Sequence, residues 1–112
     1  NVDILCISCY LTSETEGLIG NGILDDFKEN LIVVNTSRGE TVDEDYIYDL
    51  VTRNKIFYSC DVLCNEQDIE TLRKSKLFNL KKDNIVITPH VAGATVESQT
   101  KALRGILELC IK

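Results

Sequence analysis

At 112 residues the chain has the length of one domain, enough to bury well over half of the surface its unfolded form exposes. Hydrophobic residues make up 44% and charged residues 27%, a balance that predicts a soluble protein, and no apolar run approaches the roughly 20 residues that span a bilayer. Twelve Lys and Arg stand against eighteen Asp and Glu for a net charge of -6, with the basic residues scattered rather than striped, which argues against nucleic acid and against a membrane as partner.

Taken in chain order, four apolar runs have strand length: DILCIS (3 to 8), LIVVNT (31 to 36), FYSCDV (57 to 62) and NIVITP (84 to 89). They are continuously apolar rather than alternating, the pattern of parallel strands covered by helices on both faces. Between them, GNGILDDFKEN predicts a short helix. DEDYIYDLVTRN predicts a better one, with Tyr46, Ile47, Leu50 and Val51 on one stripe and Asp43 at its N-terminus. EQDIETLRKSKLF predicts a third, charged helix. ATVESQTKALRGILELCIK predicts a fourth that runs to the last residue, with Val96, Ala102, Leu103, Ile106, Leu107 and Cys110 at helical spacing. Alternating strands and helices make the fold class α/β: a parallel, Rossmann-like doubly wound sheet of about four strands with flanking helices and right-handed crossovers.

The five cysteines are an odd number, and with no leader sequence they read as reduced thiols of a cytoplasmic protein. CISC and CDVLC together offer the four sulfurs of a zinc site, but a zinc knuckle needs a tight turn, and in a strand residues i and i+3 face opposite sides. Small buried hydrophobes are the commoner use of free Cys, and no metal is expected.

In open parallel sheets ligands bind beyond the carboxyl ends of the strands. Those ends carry Ser8 and Cys9, then Asn35 to Gly39, then Asp61 to Glu66, then Pro89 to Gly93. Three distant segments, NTSRG, DVLCNE and TPHVAG, thus supply one arginine, one histidine and carboxylates. Arg38 offers a planar fork for a carboxylate or a polarised carbonyl oxygen. His90 can move a proton near neutral pH, and Glu66 beside it would orient the ring and favour its charged form. Singly, each has a plainer use: Arg38 as the cap of a carbonyl, Glu66 as a solvated loop residue, Asp61 as the cap of a turn, His90 as a structural histidine. Together they describe a site for a 2-hydroxy or 2-keto acid.

The same segments, in this order, resemble the NAD-binding domain of the D-isomer-specific 2-hydroxyacid dehydrogenases, the group of phosphoglycerate, D-lactate and glyoxylate reductase-type enzymes. LTSETEGLIG is similar to the L-T-x-E-T-x-G-L-I segment of that family, VVNTSRGETVDEDYI to its V-N-x-x-R-G-x-x-V-D-E-x-x-L signature, and ITPHVAGAT to its T-P-H-x-[AG]-[GA]-x-T motif. The resemblance implies Arg38 as substrate anchor, His90 as acid/base and Glu66 as its partner. It implies NAD as cofactor, with NADP left open, held by Cys9, Thr36, Ser37, Arg38, Asp61, His90 and Gly93, and Asp61 on the nicotinamide carboxamide. It further implies a small 2-keto or 2-hydroxy acid as substrate and a homodimeric, cytoplasmic parent protein. Related formate dehydrogenases place Gln where Glu66 stands, so the carboxylate favours a hydroxy-acid substrate.

The chain departs from the family pattern at Tyr10, where Pro is usual, at Ser8, where His is frequent, and at Gln67, where Pro follows the glutamate. It also holds no GxGxxG turn and no acidic residue after one. The expectation is therefore that residues 1 to 112, which open on Asn1 rather than Met, are the C-terminal part of a NAD(P)-binding Rossmann domain, with the glycine-rich half and the substrate domain elsewhere in a longer chain. Such a piece alone would be inactive. A non-catalytic scaffold of the same fold that senses NAD, or an inactive fragment prone to associate, are the alternative readings.

Overall fold

The structure is a computed structural model and describes residues 2–110, with the side chains of residues 109 and 110 outside the described set. Four parallel strands form one sheet in the order β1-β2-β3-β4: β1 (Ile4–Ile7), β2 (Leu31–Asn35), β3 (Ile56–Cys60) and β4 (Ile85–Ile87). Register pairs Ile7 with Asn35, Asn35 with Cys60, and Cys60 with Ile87. The carboxyl ends of all four strands therefore line up along one rim.

Sequential order with right-handed crossovers puts every connection on the same face. On that face Leu31, Val33, Ile56 and Tyr58 are buried beneath Ile47, Leu50 and Val51 of α1 (Glu44–Thr52), with Leu24, Leu63 and Leu77 completing the core. The other face is a departure from the expected double covering. Ile4, Ile32, Phe57 and Val86 point there and stay 39% to 56% exposed. The apolar runs are apolar on both faces, while these residues bring cover for one only.

α1 starts where the sequence indicated. The Asp43 carboxylate accepts hydrogen bonds from the N–H groups of Asp45 (3.0 Å) and Tyr46 (3.1 Å), the ordinary satisfaction of free first-turn donors. Lys82 completes the other end, its ammonium donating to the carbonyls of Val51 and Thr52.

GNGILDDFKEN is not a helix. Asn21 (φ 49°), Gly22 (φ 79°) and Asn30 (φ 64°) are left-handed, which breaks a helical repeat. The stretch instead folds as successive turns: Ile23 N–H to Gly20, Asp25 N–H to Gly22 and Phe27 N–H to Leu24. Leu24 is nonetheless buried, and the Tyr46 hydroxyl holds its N–H at 2.9 Å. The third predicted helix is shorter than its pattern: α2 covers Ile69–Lys74. Asp68 starts it by accepting from Glu70 N–H, and Asn79 ends it by donating to the carbonyls of Arg73 and Ser75.

The last helix, α3 (Val96–Cys110), forms as predicted, but its residues 96 to 108 are exposed all round. The apolar stripe Val96, Leu103, Ile106 and Leu107 faces solvent. Cys110, the stripe's last predicted member, has a side chain outside the described set, and residues 111 and 112 lie beyond it. Among the described residues no helix is long and apolar enough to cross a membrane.

The Asp43 cap gives a direct test. Asp43→Ala should destabilise α1 by about 1 kcal/mol, read as faster amide exchange across Glu44–Thr52 in the native protein, whereas Asp43→Asn, which keeps an acceptor, should lose much less.

Candidate active site

The turn after β2 is built by one buried amide. Asn35 is fully buried; its Oδ1 accepts from Ser37 N–H (3.0 Å), and its Nδ2 donates to the Arg38 carbonyl (2.9 Å) and to Thr41 Oγ1 (3.3 Å). The chain is folded around Asn35 so that Ser37 turns inward and Arg38 turns out. Ser37 Oγ donates to the Cys9 carbonyl at 2.6 Å, tying this turn to the end of β1. Arg38 is exposed, and its Nη1 donates to the Ser37 carbonyl at 2.6 Å. One of its five donors is thus used within the turn, and among the described residues the rest of the fork meets no partner.

Gly39 comes next, packed against the backbone of the loop after β3. A methyl group there would overlap the carbonyl carbon of Leu63 and the nitrogen of Cys64, both main-chain atoms that cannot swing away. Only a residue with no side chain lets the Arg38 turn and the Glu66 loop lie in contact. The LTSETEGLIG segment braces the same turn from outside, with Gly17 N–H on the Glu40 carbonyl (2.8 Å) and Ile19 N–H on that of Thr41 (3.1 Å).

In the loop after β3, Glu66 divides its two oxygens. Oε2 accepts from its own loop's Leu63 N–H at 3.1 Å, and Oε1 meets His90 Nδ1. The ring is half-exposed and the carboxylate a quarter exposed, so the pair sits at the wall of a cleft, not in the core. That cleft, of about 400 Å³, is lined by Arg38, Leu63, Asn65, Glu66, Gln67 and His90, among others. Arg38, Glu66 and His90, 52 positions apart at the extremes, are brought together in one concavity.

His90 has φ 54°, a left-handed conformation uncommon for a residue with a side chain, though His is among those that tolerate it. It costs about 1 kcal/mol or more and persists only where neighbours enforce it. The enforcing group is Asp61, 5% exposed. Its Oδ1 accepts from the Thr88 hydroxyl and from Val91 N–H (2.9 Å), and its Oδ2 from Ala92 N–H (2.8 Å). Donors on either side of His90 are thus gripped by one carboxylate. Burial opposes ionisation of Asp61, yet the hydrogen bonds from Thr88, Ala92 and Val91, with the charge of His90, outweigh it and hold the carboxyl below its ordinary value. Sequence reasoning offered Asp61 to the cofactor or as the cap of a turn, but not these partners, because no local pattern reveals which N–H groups a buried carboxylate will meet.

The remaining predicted residues lie around the rim. Thr36 is exposed at the end of β2, Cys9 is half-buried and Gly93 has open space about it. None of these three lines the cleft of Arg38 and His90. Burial pushes the Cys60 thiol up to about 12, and burial with the charges of Glu44 and Glu40 does the same for Cys64. Cys6 lies on the open face of the sheet and Cys60 on the covered one, so the two cysteine pairs do not converge. Among the described residues no group of three or more His, Cys, Asp or Glu is placed to hold a metal ion.

Gly39→Ala should destabilise the native protein by about 1–3 kcal/mol or more, since the overlap is with backbone, measured as a fall in the unfolding midpoint. Asp61→Asn should cost about 1.5–3 kcal/mol near neutral pH. Because the folded-state pKa of Asp61 is lowered, its contribution is complete above the ordinary carboxylate value of about 3.9 and is lost as pH falls through the lower folded value. The gap in unfolding midpoint between wild type and Asp61→Asn should therefore close on acidification below about pH 4, and a gap independent of pH would contradict the charged grip.

Comparison with known proteins places the chain in a family. Residues 1–92 match the family described as D-isomer specific 2-hydroxyacid dehydrogenase, NAD binding domain. The dehydrogenase efuE of Hormonema carpetanum is 36% identical over 95% of this chain, and the hydroxypyruvate reductase of Thermotoga maritima is 32% identical over 98%. The chain spans only 25% and 35% of the lengths of those two relatives. Among solved structures, D-lactate dehydrogenase from Aquifex aeolicus, complexed with NAD and lactic acid, superposes with a TM-score of 0.74 at 27% identity, over 96% of this chain and 36% of that one. The chain belongs to the D-isomer specific 2-hydroxyacid dehydrogenases, as a member of their NAD-binding domain family.

Proposed function

We propose that these residues form the C-terminal part of the NAD(P)-binding domain of a longer, cytoplasmic, homodimeric protein that reduces a small 2-keto acid to the D-2-hydroxy acid. One observation carries the reading: Arg38, Glu66 and His90, from three separate strand ends, line one cleft, with the histidine ring engaged by the carboxylate.

Each residue has a role that its geometry suits. With Nδ1 committed to Glu66, Nε2 is the ring nitrogen left to deliver a proton to the carbonyl oxygen. Glu66 holds the ring in one orientation and offsets the positive charge it carries before giving up that proton. The free part of the Arg38 fork binds the substrate carboxylate and balances negative charge developing on the oxygen. Pro89 keeps Thr88 extended, with Thr88 N–H still on the Cys60 carbonyl at 2.9 Å, so that the chain turns sharply only at His90.

The residues present fit the nicotinamide end of NAD. A carboxylate accepts about four hydrogen bonds and Asp61 receives three, which leaves one acceptor position for a carboxamide. Thr36 and the open backbone around Gly93 offer an approach from the rim, and Cys9 stands half-buried at the end of β1, its carbonyl accepting from Ser37. Ser37 fits less well as a donor because its hydroxyl proton is given to Cys9. NAD, when bound in its reduced form, supplies the hydride.

The test is NADH oxidation by the full-length protein with glyoxylate, hydroxypyruvate and pyruvate. His90→Ala should lower kcat by about 10²–10⁴-fold, and Arg38→Ala should lower kcat/KM while NADH binding persists. A wild-type protein that binds NADH and turns over none of these acids would favour the NAD-sensing scaffold instead.

A further inference from the structure

The family-like signature does not stop at Arg38 and Gly39; it continues through Val42, Asp43 and Glu44. Asp43 is accounted for as the cap of α1, but Glu44 has no part in the chemistry above. Its side chain is half-buried and leaves its own helix. Oε1 accepts from the backbone N–H of Cys64 at 2.7 Å, and Oε2 from the Ser75 hydroxyl at 3.4 Å.

The neighbours of that contact give it meaning. Three consecutive N–H groups of the loop after β3 each meet a different carboxylate: Leu63 that of Glu66 (3.1 Å), Cys64 that of Glu44 (2.7 Å) and Asn65 that of Glu40 (3.1 Å). The shortest of the three is the middle one, made by the residue anchored in a helix. Asn65 is left-handed, with φ 51°, so the loop turns sharply just before Glu66 and needs its amides held. Glu40 itself follows Gly39, whose backbone lies against Leu63 and Cys64. The direct partners of Glu44 are the Cys64 amide and the Ser75 hydroxyl, and the titratable groups that feel its charge are the thiols of Cys64 and Cys60 and the Tyr58 phenol; among the described residues no Lys, Arg or His pairs with it, so hydrogen bonding rather than ion pairing holds this carboxylate.

We propose that Glu44 is a positioning residue for Glu66: by holding the Cys64 amide it fixes the loop that presents the Glu66 carboxylate to His90. The proposal rests on the reading of Glu66 as the partner of the catalytic histidine. Glu44 does not touch the substrate or the cofactor, and its loss acts through the loop. It also couples the two halves of the site, since the same segment that carries Arg38 carries the strut that sets Glu66.

The experiment uses the full-length protein and compares Glu44→Asp, Glu44→Gln, Glu66→Gln and the double variant Glu44→Asp with Glu66→Gln. Glu44→Asp keeps an acid in the first turn of α1, and with it the favourable interaction with the helix dipole, but is one methylene too short to reach Cys64. It should lower kcat by about 10- to 100-fold with little change in KM, and displace the pH profile of kcat in the same direction as Glu66→Gln. In the double variant the two effects should not multiply, because they break the same contact. Glu44→Gln keeps an acceptor for Cys64 and should recover most of the activity. Faster amide exchange at Cys64 in Glu44→Asp would report the released loop independently of turnover.

A Glu44→Asp protein with a lowered unfolding midpoint but wild-type kcat and pH profile would overturn the proposal, as would effects that multiply fully with Glu66→Gln. If Glu66→Gln alone left kcat and the pH profile unchanged, the failure would lie in the His90 and Glu66 reading beneath, and the positioning role would fall with it.

Discussion

The site depends on a contact with no side chain in it. Gly39 lies against the main chain of Leu63 and Cys64, and through that approach the turn that carries Arg38 and the loop that carries Glu66 become one wall. Backbone packed on backbone is stiff, because neither partner has a rotamer to change. The polar bonds around it, Asn35 within the first turn and the carboxylates of Glu40 and Glu44 on the second loop, hold two already touching segments in register. The wall is thereby largely formed before any ligand arrives, and preorganisation of this kind lets charge on a reacting oxygen be met without rearrangement.

The opposite wall is organised differently. His90 sits in a strained backbone conformation, and Asp61 holds the donors on both sides of it. A buried carboxylate with no partners would be costly; with three donors it becomes the anchor of the segment. The two walls meet where Glu66 reaches the histidine ring, and again where Asp61, at the start of the loop that carries Glu66, holds the His90 segment. Arg turn, Glu loop and His segment are thus joined by the backbone packing at Gly39, by the grip of Asp61 and by the contact of Glu66 with His90, and the angle of the imidazole is set from both sides.

Much of the fold was legible because it follows from local signals. Continuous apolar runs announced four parallel strands, and Asp43 announced the start of α1 at its position. The turn region around Gly20 was misread as a helix because Asn21, Gly22 and Asn30 adopt left-handed conformations that their neighbours' hydrophobic spacing conceals. The covering of both sheet faces was inferred from apolar strands, but strand composition tells only that a face needs cover and not which residues supply it. In the site, the order of three motifs pointed to Arg38, Glu66 and His90, and the cleft gathers them. Asn35, Gly39 and Glu44 stayed hidden: an Asn ending an apolar strand, a Gly in a turn and a Glu opening a helix all have common local uses, and what sets them apart is a set of partners 2 to 31 positions away, found only once the chain is folded.

The central claim is that this constellation serves hydride and proton transfer to a 2-keto acid with D stereochemistry. The most direct measurement is chiral and isotopic analysis of the product that the full-length protein forms from hydroxypyruvate or pyruvate with NADH deuterated at the transferring carbon. The account predicts a D-2-hydroxy acid with deuterium at C2. Recovery of the L enantiomer, or of no deuterated product from a protein that still binds NADH, would contradict it.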